Sequence, residues 1–215
     1  MTYLQLVNAV LRRLRETEVS SVSDNAYSKM IGDFVNDAKR NVEDSYNWNA
    51  LYDTLSATTT NDIFNYVLEG SGQRFRVVDI LNDTSNWFLE EKTTKWFDQQ
   101  FLLTTPAKGT PMYYNFNGVD ANGDTQVDVY PIPDGAYNLR FNIVLPQPLL
   151  ENNTDTLKVP YEPVIFLAYA KALAERGEDG GLASSEAAAL YRQSLADAIA
   201  LESGRYSEES QFYWV

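Results

Sequence analysis

Asp120, Asn122 and Asp124 stand at alternating positions, and oxygen ligands spaced two apart are how a calcium-binding loop begins. Such a loop also needs Gly at its sixth position and Glu at its twelfth. Here those positions hold Thr125 and Pro131. Asn122-Gly123 lies between two alternating segments, so the stretch reads better as a hairpin tip closed by Asx turns. Glu90-Glu91 is the densest carboxylate pair, the raw material of a glycosidase or a magnesium nuclease. On a strand, however, adjacent side chains point to opposite faces and cannot converge on one substrate.

The rest of catalytic chemistry is closed off by residue type. The chain has no Cys and no His. That removes thiol nucleophiles, Cys-ligated metals, the commonest general base and every Ser-His-Asp arrangement. There is no GxxxxGK[ST], no GxGxxG and no GxSxG, and Gly70-Ser71-Gly72 is simply a turn. The sequence therefore predicts a protein that is not an enzyme and takes no cofactor. The formal charge is −13, with only 17 Lys and Arg, and the densest basic group, Arg12, Arg13 and Arg15, sits on a helix. Sequence-independent binding to nucleic acid needs clustered cations, so that class is rejected as well. The N-terminus does not read as a signal peptide, and no apolar run approaches a membrane span.

The elements around these residues follow from periodicity. Leu4, Val7, Leu11 and Leu14 predict a helix over 3–16. Ser23 or Asp24 can cap a second helix over about 24–48, with Tyr27, Ile31, Phe34, Ala38 and Val42 on its apolar face. Asp33, Asp37, Lys39, Arg40 and Glu43 are placed on the solvent side, and Trp48 is expected to pack on the helix end. From 51 to 145 the period changes to two, predicting strands in 51–60, 63–70, 74–82, 86–89, 113–117, around Val127 and Val129, and 137–145. A short helix is expected over 93–103, capped by Thr93 or Thr94, with Trp96, Phe97, Gln100 and Phe101 on one face. Pro160 and Pro163 open a third helix that Gly177 stops, and an Ala-rich helix runs to about 203. Asn82-Asp83-Thr84 and Asn152-Asn153-Thr154 fit the glycosylation pattern and read as turns.

The fold class is therefore α+β: N-terminal and C-terminal helix pairs forming one bundle, with an inserted, mainly antiparallel β region. We read this as a single domain, with helices in 1–50 and 160–203, the β region in 51–145, and a C-terminal arm over 204–215. The arm ends in Phe212-Tyr213-Trp214-Val215 after a polar SEES. A terminus normally ends in polar residues, so this one either folds back onto its own domain or, as the aromatic end after a polar spacer favours, is an arm that docks on a neighbour. The 13 % aromatic content suits either a sturdy core or broad subunit interfaces.

Several segments together carry a resemblance: YLQLVNAVLRRLRE, FVNDAKRNVEDSYNW, YYNFNG, VDVYPIPDG, YNLRF, and AYAKALAERGEDGG before an Ala-rich helix. In wording and order over nearly the whole chain, the sequence resembles the head-to-tail adaptors of short-tailed phages, also called tail tubular protein A. The resemblance implies a homo-oligomeric ring of about twelve subunits beneath the portal, joining it to the tail nozzle, with fibres around it and DNA passing through. By position it implies portal contacts at Tyr206, Phe212, Tyr213, Trp214 and Val215. It also implies a nozzle- or fibre-facing hairpin tip at Asp120, Asn122 and Asp124. The net charge suits a channel whose wall is acidic or neutral and does not hold DNA. Two other classes stay open: a connector ring of a long-tailed phage, and a carbohydrate-binding or hydrolytic tail protein.

Overall fold

The computed structural model describes residues 1–177 and 181–205. The chain divides into two compact units, a helical one of residues 1–51 and 146 onward, and a β unit of residues 52–145. Helices flank an inserted β region, the α+β organisation expected.

In the helical unit, α1 (Tyr3–Arg13) starts at a capping box in which the Thr2 hydroxyl accepts from the Gln5 N–H and the Gln5 side chain accepts from the Thr2 N–H. It stops short of residue 16 because Arg15 turns to φ 60°. Helix α2 (Ala26–Ser45) is capped by Asn25, not by Ser23 or Asp24. Asp24 is unavailable: one of its oxygens accepts the Ser20 and Ser21 N–H groups of the preceding loop. Trp48 lies beyond the helix end, buried, with its Nε1 donating to the Val42 carbonyl at 2.7 Å. Helix α4 (Tyr161–Arg176; α3 lies in the β unit) carries Pro163 in its first turn and ends at Gly177, whose φ of 63° favours glycine. Helix α5 (Leu182–Arg205) packs along α4.

The bundle core is built from Leu6, Val7, Val10 and Leu11 of α1, Ile31, Val35, Ala38 and Val42 of α2, and Val164, Ile165, Ala168 and Ala172 of α4. One expectation is overturned here. Lys39 and Glu43, assigned to the solvent side of α2, are 0 % and 3 % exposed. They are buried because the return segment after residue 145 covers them. The Lys39 ammonium donates to the Gln147 carbonyl at 2.6 Å and to Glu43, and Glu43 accepts from the Gln147 N–H at 3.1 Å. One turn earlier, the Asn36 amide makes a matched pair with Leu150, accepting from its N–H and donating to its carbonyl. Residues 36, 39 and 43 thus form a polar stripe at helical spacing that satisfies the backbone of an irregular segment.

The β unit comprises β1 (Tyr52–Thr58), β2 (Asn65–Val67), β3 (Arg76–Asn82), β4 (Trp87–Phe88), β5 (Glu90–Glu91), α3 (Thr94–Asp98), β6 (Tyr113–Val119), β7 (Thr125–Tyr130) and β8 (Asn138–Val144). They form two four-stranded sheets, ordered β1-β8-β3-β4 and β2-β7-β6-β5. Ile80, Leu139, Phe141 and Ile143 of the first sheet and Tyr114, Val127 and Val129 of the second share one buried cluster. The alternation predicted for 137–145 is the pattern that fills this core. All strand pairs are antiparallel except β5 with β6. Thr93 caps α3, as expected, and a π-helical turn at Gln99–Leu103 follows it.

Candidate interaction surfaces

The hairpin tip is built by β6 and β7, whose last pair is Val119 with Thr125. Asp120 Oδ1 accepts from the Asn122 N–H at 2.9 Å and the Asp124 N–H at 2.8 Å, while Oδ2 accepts from the Asn122 side chain. These backbone donors, Asp124 first, hold the Asp120 carboxyl below the usual carboxylate range. Asp124 turns away to accept the Gly72 N–H at 2.9 Å. The three residues do share a tip, but their oxygens close the loop on itself, as Asx turns do. Among the described residues, no cluster of three acidic side chains is arranged to hold a metal ion. Glu90 and Glu91 sit on the two-residue strand β5, and Glu90 pairs with Lys92 at 2.8 Å.

Five of the basic side chains are committed locally. Arg12 pairs with Glu18 at 3.0 Å, Arg13 donates to the Ala9 carbonyl and lies over the Phe166 ring, and Lys171 pairs with Asp37 at 2.8 Å. Arg140 pairs with Asp83, and Arg176 reaches both Glu16 and the Tyr27 hydroxyl. Both glycosylation-like triplets lie at turns: Asn82, at the end of β3, accepts the Ser85 N–H, and the Asp155 N–H donates to the Asn152 carbonyl.

What the surface does offer is apolar. In the β unit, Trp96, Phe97, Phe101, Tyr113 and Tyr130 form a connected set of ring contacts that Phe64 joins through Phe101, at 4.5 Å between centroids. Leu102 and Leu103, on the same π-helical turn, are 76 % and 80 % exposed. Phe88 is also exposed. In the helical unit, Leu182, Leu190 and Leu201 of α5 face solvent, and Ala187 is its one buried side chain among the described residues. Leu102 and Leu103 stand side by side next to Phe101 of the ring cluster, an apolar surface that a partner could cover. Sequence reading missed them. The signal was available in the leucine pair that follows the aromatic face of α3; Leu190, which its spacing with Tyr191, Leu195, Ala198 and Ile199 places on the apolar face of α5, is instead 49 % exposed.

The expected portal contacts, Tyr206, Phe212, Tyr213, Trp214 and Val215, lie outside the described residues. Among the described residues, no helix is long and apolar enough to cross a membrane. The model of the SU10 adaptor protein family matches residues 1–211. No curated protein matches the chain.

Proposed function

From the premise that the chain belongs to the SU10 adaptor protein family, a family of structural phage adaptors, we propose that it is a subunit of a ring joining the portal to the tail nozzle. The observation that carries this reading is the reach of the family match, residues 1–211, which takes in both compact units. Both then belong to one adaptor domain. The ring holds about twelve copies, each meeting a neighbour on either side through different surfaces. The exposed leucines of α5 and the Phe64–Leu103 region supply apolar area of the kind such contacts bury.

Tyr206 and the Phe212–Val215 end meet the portal, and the Asp120–Asn122–Asp124 tip faces the nozzle or fibres. The closed hydrogen bonding of that tip supports recognition by shape over ion binding. DNA passes without being held, which the −13 charge and the locally paired cations favour. The protein performs no catalysis, needs no cofactor and works in the virion neck after assembly in the host.

Mixing the purified chain with its portal and imaging the product by electron microscopy tests this. A ring of about twelve subunits beneath the portal is the expected result. Failure to associate, together with turnover of host glycans, defeats the reading. Deleting Ser210 to Val215 is expected to weaken portal binding at least about tenfold, the effect of losing one buried aromatic anchor. Full-strength binding by the truncated chain removes the arm assignment.

A further inference from the structure

The chain holds two Asn-Gly bonds, Asn117-Gly118 and Asn122-Gly123, and both lie in the β6–β7 hairpin. In such a pair the asparagine side chain is open to attack by the next amide nitrogen, because glycine has no Cβ to shield it. The fold holds the two differently. Asn117 lies within β6, between the ladder pairs Phe116–Val127 and Val119–Thr125. Its Nδ2 donates at 2.8 Å to Asp128, which is 5 % exposed and also accepts from Asn65 of β2 at 2.6 Å. One buried carboxylate thus ties three strands together and fixes the Asn117 side chain. Asn122 stands beyond the last ladder pair and is exposed, and its Nδ2 meets only Asp120, at 3.1 Å. The space beside Gly123 is open: a Cβ there comes no nearer than 3.6 Å to Gln73 Nε2.

We propose that Asn122 is a site of spontaneous deamidation and that the fold shields Asn117 from the same reaction. The Gly123 amide nitrogen, its proton passed to hydroxide, attacks Asn122 Cγ. The Cγ–Nδ2 bond breaks, and Nδ2 leaves as ammonia with a proton from water. Water then opens the cyclic imide. Cleavage at Cγ leaves aspartate at position 122, and cleavage at the main-chain carbonyl leaves isoaspartate, with an extra methylene in the backbone. Overall water is consumed, ammonia is released, and nothing is oxidised or reduced. Neither product can donate to Asp120 Oδ2 as the Asn122 amide does. The tip then carries a further carboxylate beside Asp120 and Asp124. At Asn117 the same change sets a carboxylate against the buried Asp128, so the shielding there preserves the sheet. The reaction stands without the adaptor reading. One consequence rests on that reading: the tip that faces the nozzle or fibres gains negative charge as the free subunit ages.

Incubating the full chain at mildly alkaline pH in heavy-oxygen water, then mapping its peptides by mass spectrometry with isoaspartate quantified, tests this. Each event leaves heavy oxygen in the new carboxylate. In the folded chain Asn122 is expected to react at least about tenfold faster than Asn117, because the ladder must open before Asn117 can be attacked. In urea, where neither is restrained, similar rates are expected. Gly123→Ala is expected to slow the reaction at 122 in both states, since its methyl group shields the nitrogen. Equal rates at the two asparagines in the folded chain overturn the proposal, as does a faster Asn117. An Asn122 that stays intact in the folded chain while it reacts in urea also overturns it. The readout is chemical and needs neither ring nor partner, so failure of the adaptor reading and failure of this proposal are separate results.

Discussion

The Lys39–Glu43 pair shows what a residue's surroundings do to its role. Both side chains are removed from water, and each also bonds the backbone of Gln147. Burying two charges is favourable only when geometry and extra hydrogen bonds offset their lost hydration. Here the extra bonds go to a segment with no regular structure, whose N–H and carbonyl need partners. Removing one charge leaves the other uncompensated. Lys39→Met is therefore expected to destabilise the protein by about 3–5 kcal/mol. Lys39→Met with Glu43→Leu is expected to be clearly milder, because no charge is left buried. Urea unfolding of the three proteins checks this. A double variant less stable than the single one shows that the pair is not what the site depends on.

Between elements, α1 approaches α2 closely at Gly32. A Cβ there meets the Tyr3 hydroxyl and lies 2.9 Å from Val22 Cγ1. Tyr3 is held in place: it is buried and its hydroxyl accepts from Asn36, and burial reinforced by Asp33 pushes its ionisation up to about 12. Replacing a mid-helix glycine by alanine ordinarily gains about 1 kcal/mol. Overpacking a rigid contact loses about 1–3 kcal/mol. Gly32→Ala is expected to come out destabilised by about 1 kcal/mol, and Tyr3→Phe in the same chain is expected to recover part of the loss. A thermal melt in which Gly32→Ala stabilises the protein against its parent refutes this close approach. Much at this scale was legible beforehand. Helices announced by 3.6-residue spacing and strands announced by alternation, 137–145 above all, appear where expected. Strand β5 was not legible, because Glu90-Glu91 has no strand preference and is held by backbone pairing to β6 alone. Nor was the burial of Lys39 and Glu43, since charge type points outward, although Asn36, Lys39 and Glu43 share a helical stripe. The apolar partner surfaces were hidden for the opposite reason: leucines read as core until the fold shows that nothing among the described residues covers them.

At the scale of the molecule, the β unit is an insertion whose ends are neighbours. Tyr52 at its start pairs with Val144 near its end, within one antiparallel ladder. Paired residues in such a ladder are about 4.5–5.5 Å apart, so the helical unit is interrupted at one point in space. Each unit has its own buried core, centred in the β unit on Phe141, Val127 and Ile80. These facts make the β unit separable. Residues 52–145 expressed alone are expected to fold and to melt in one cooperative step. The calorimetric enthalpy should be roughly 60–80 kcal/mol, the value for about 100 residues. If scanning calorimetry shows only a broad drift with no peak, the core of this unit is insufficient by itself. A cooperative peak gives the family resemblance a physical basis in this chain. The helical unit, closed at Gln147 by the Lys39–Glu43 clip, and the sandwich grafted at Tyr52 and Val144 then fold independently, so substitutions in the hairpin tip at Asp120–Asp124 leave the bundle and its α5 surface unchanged.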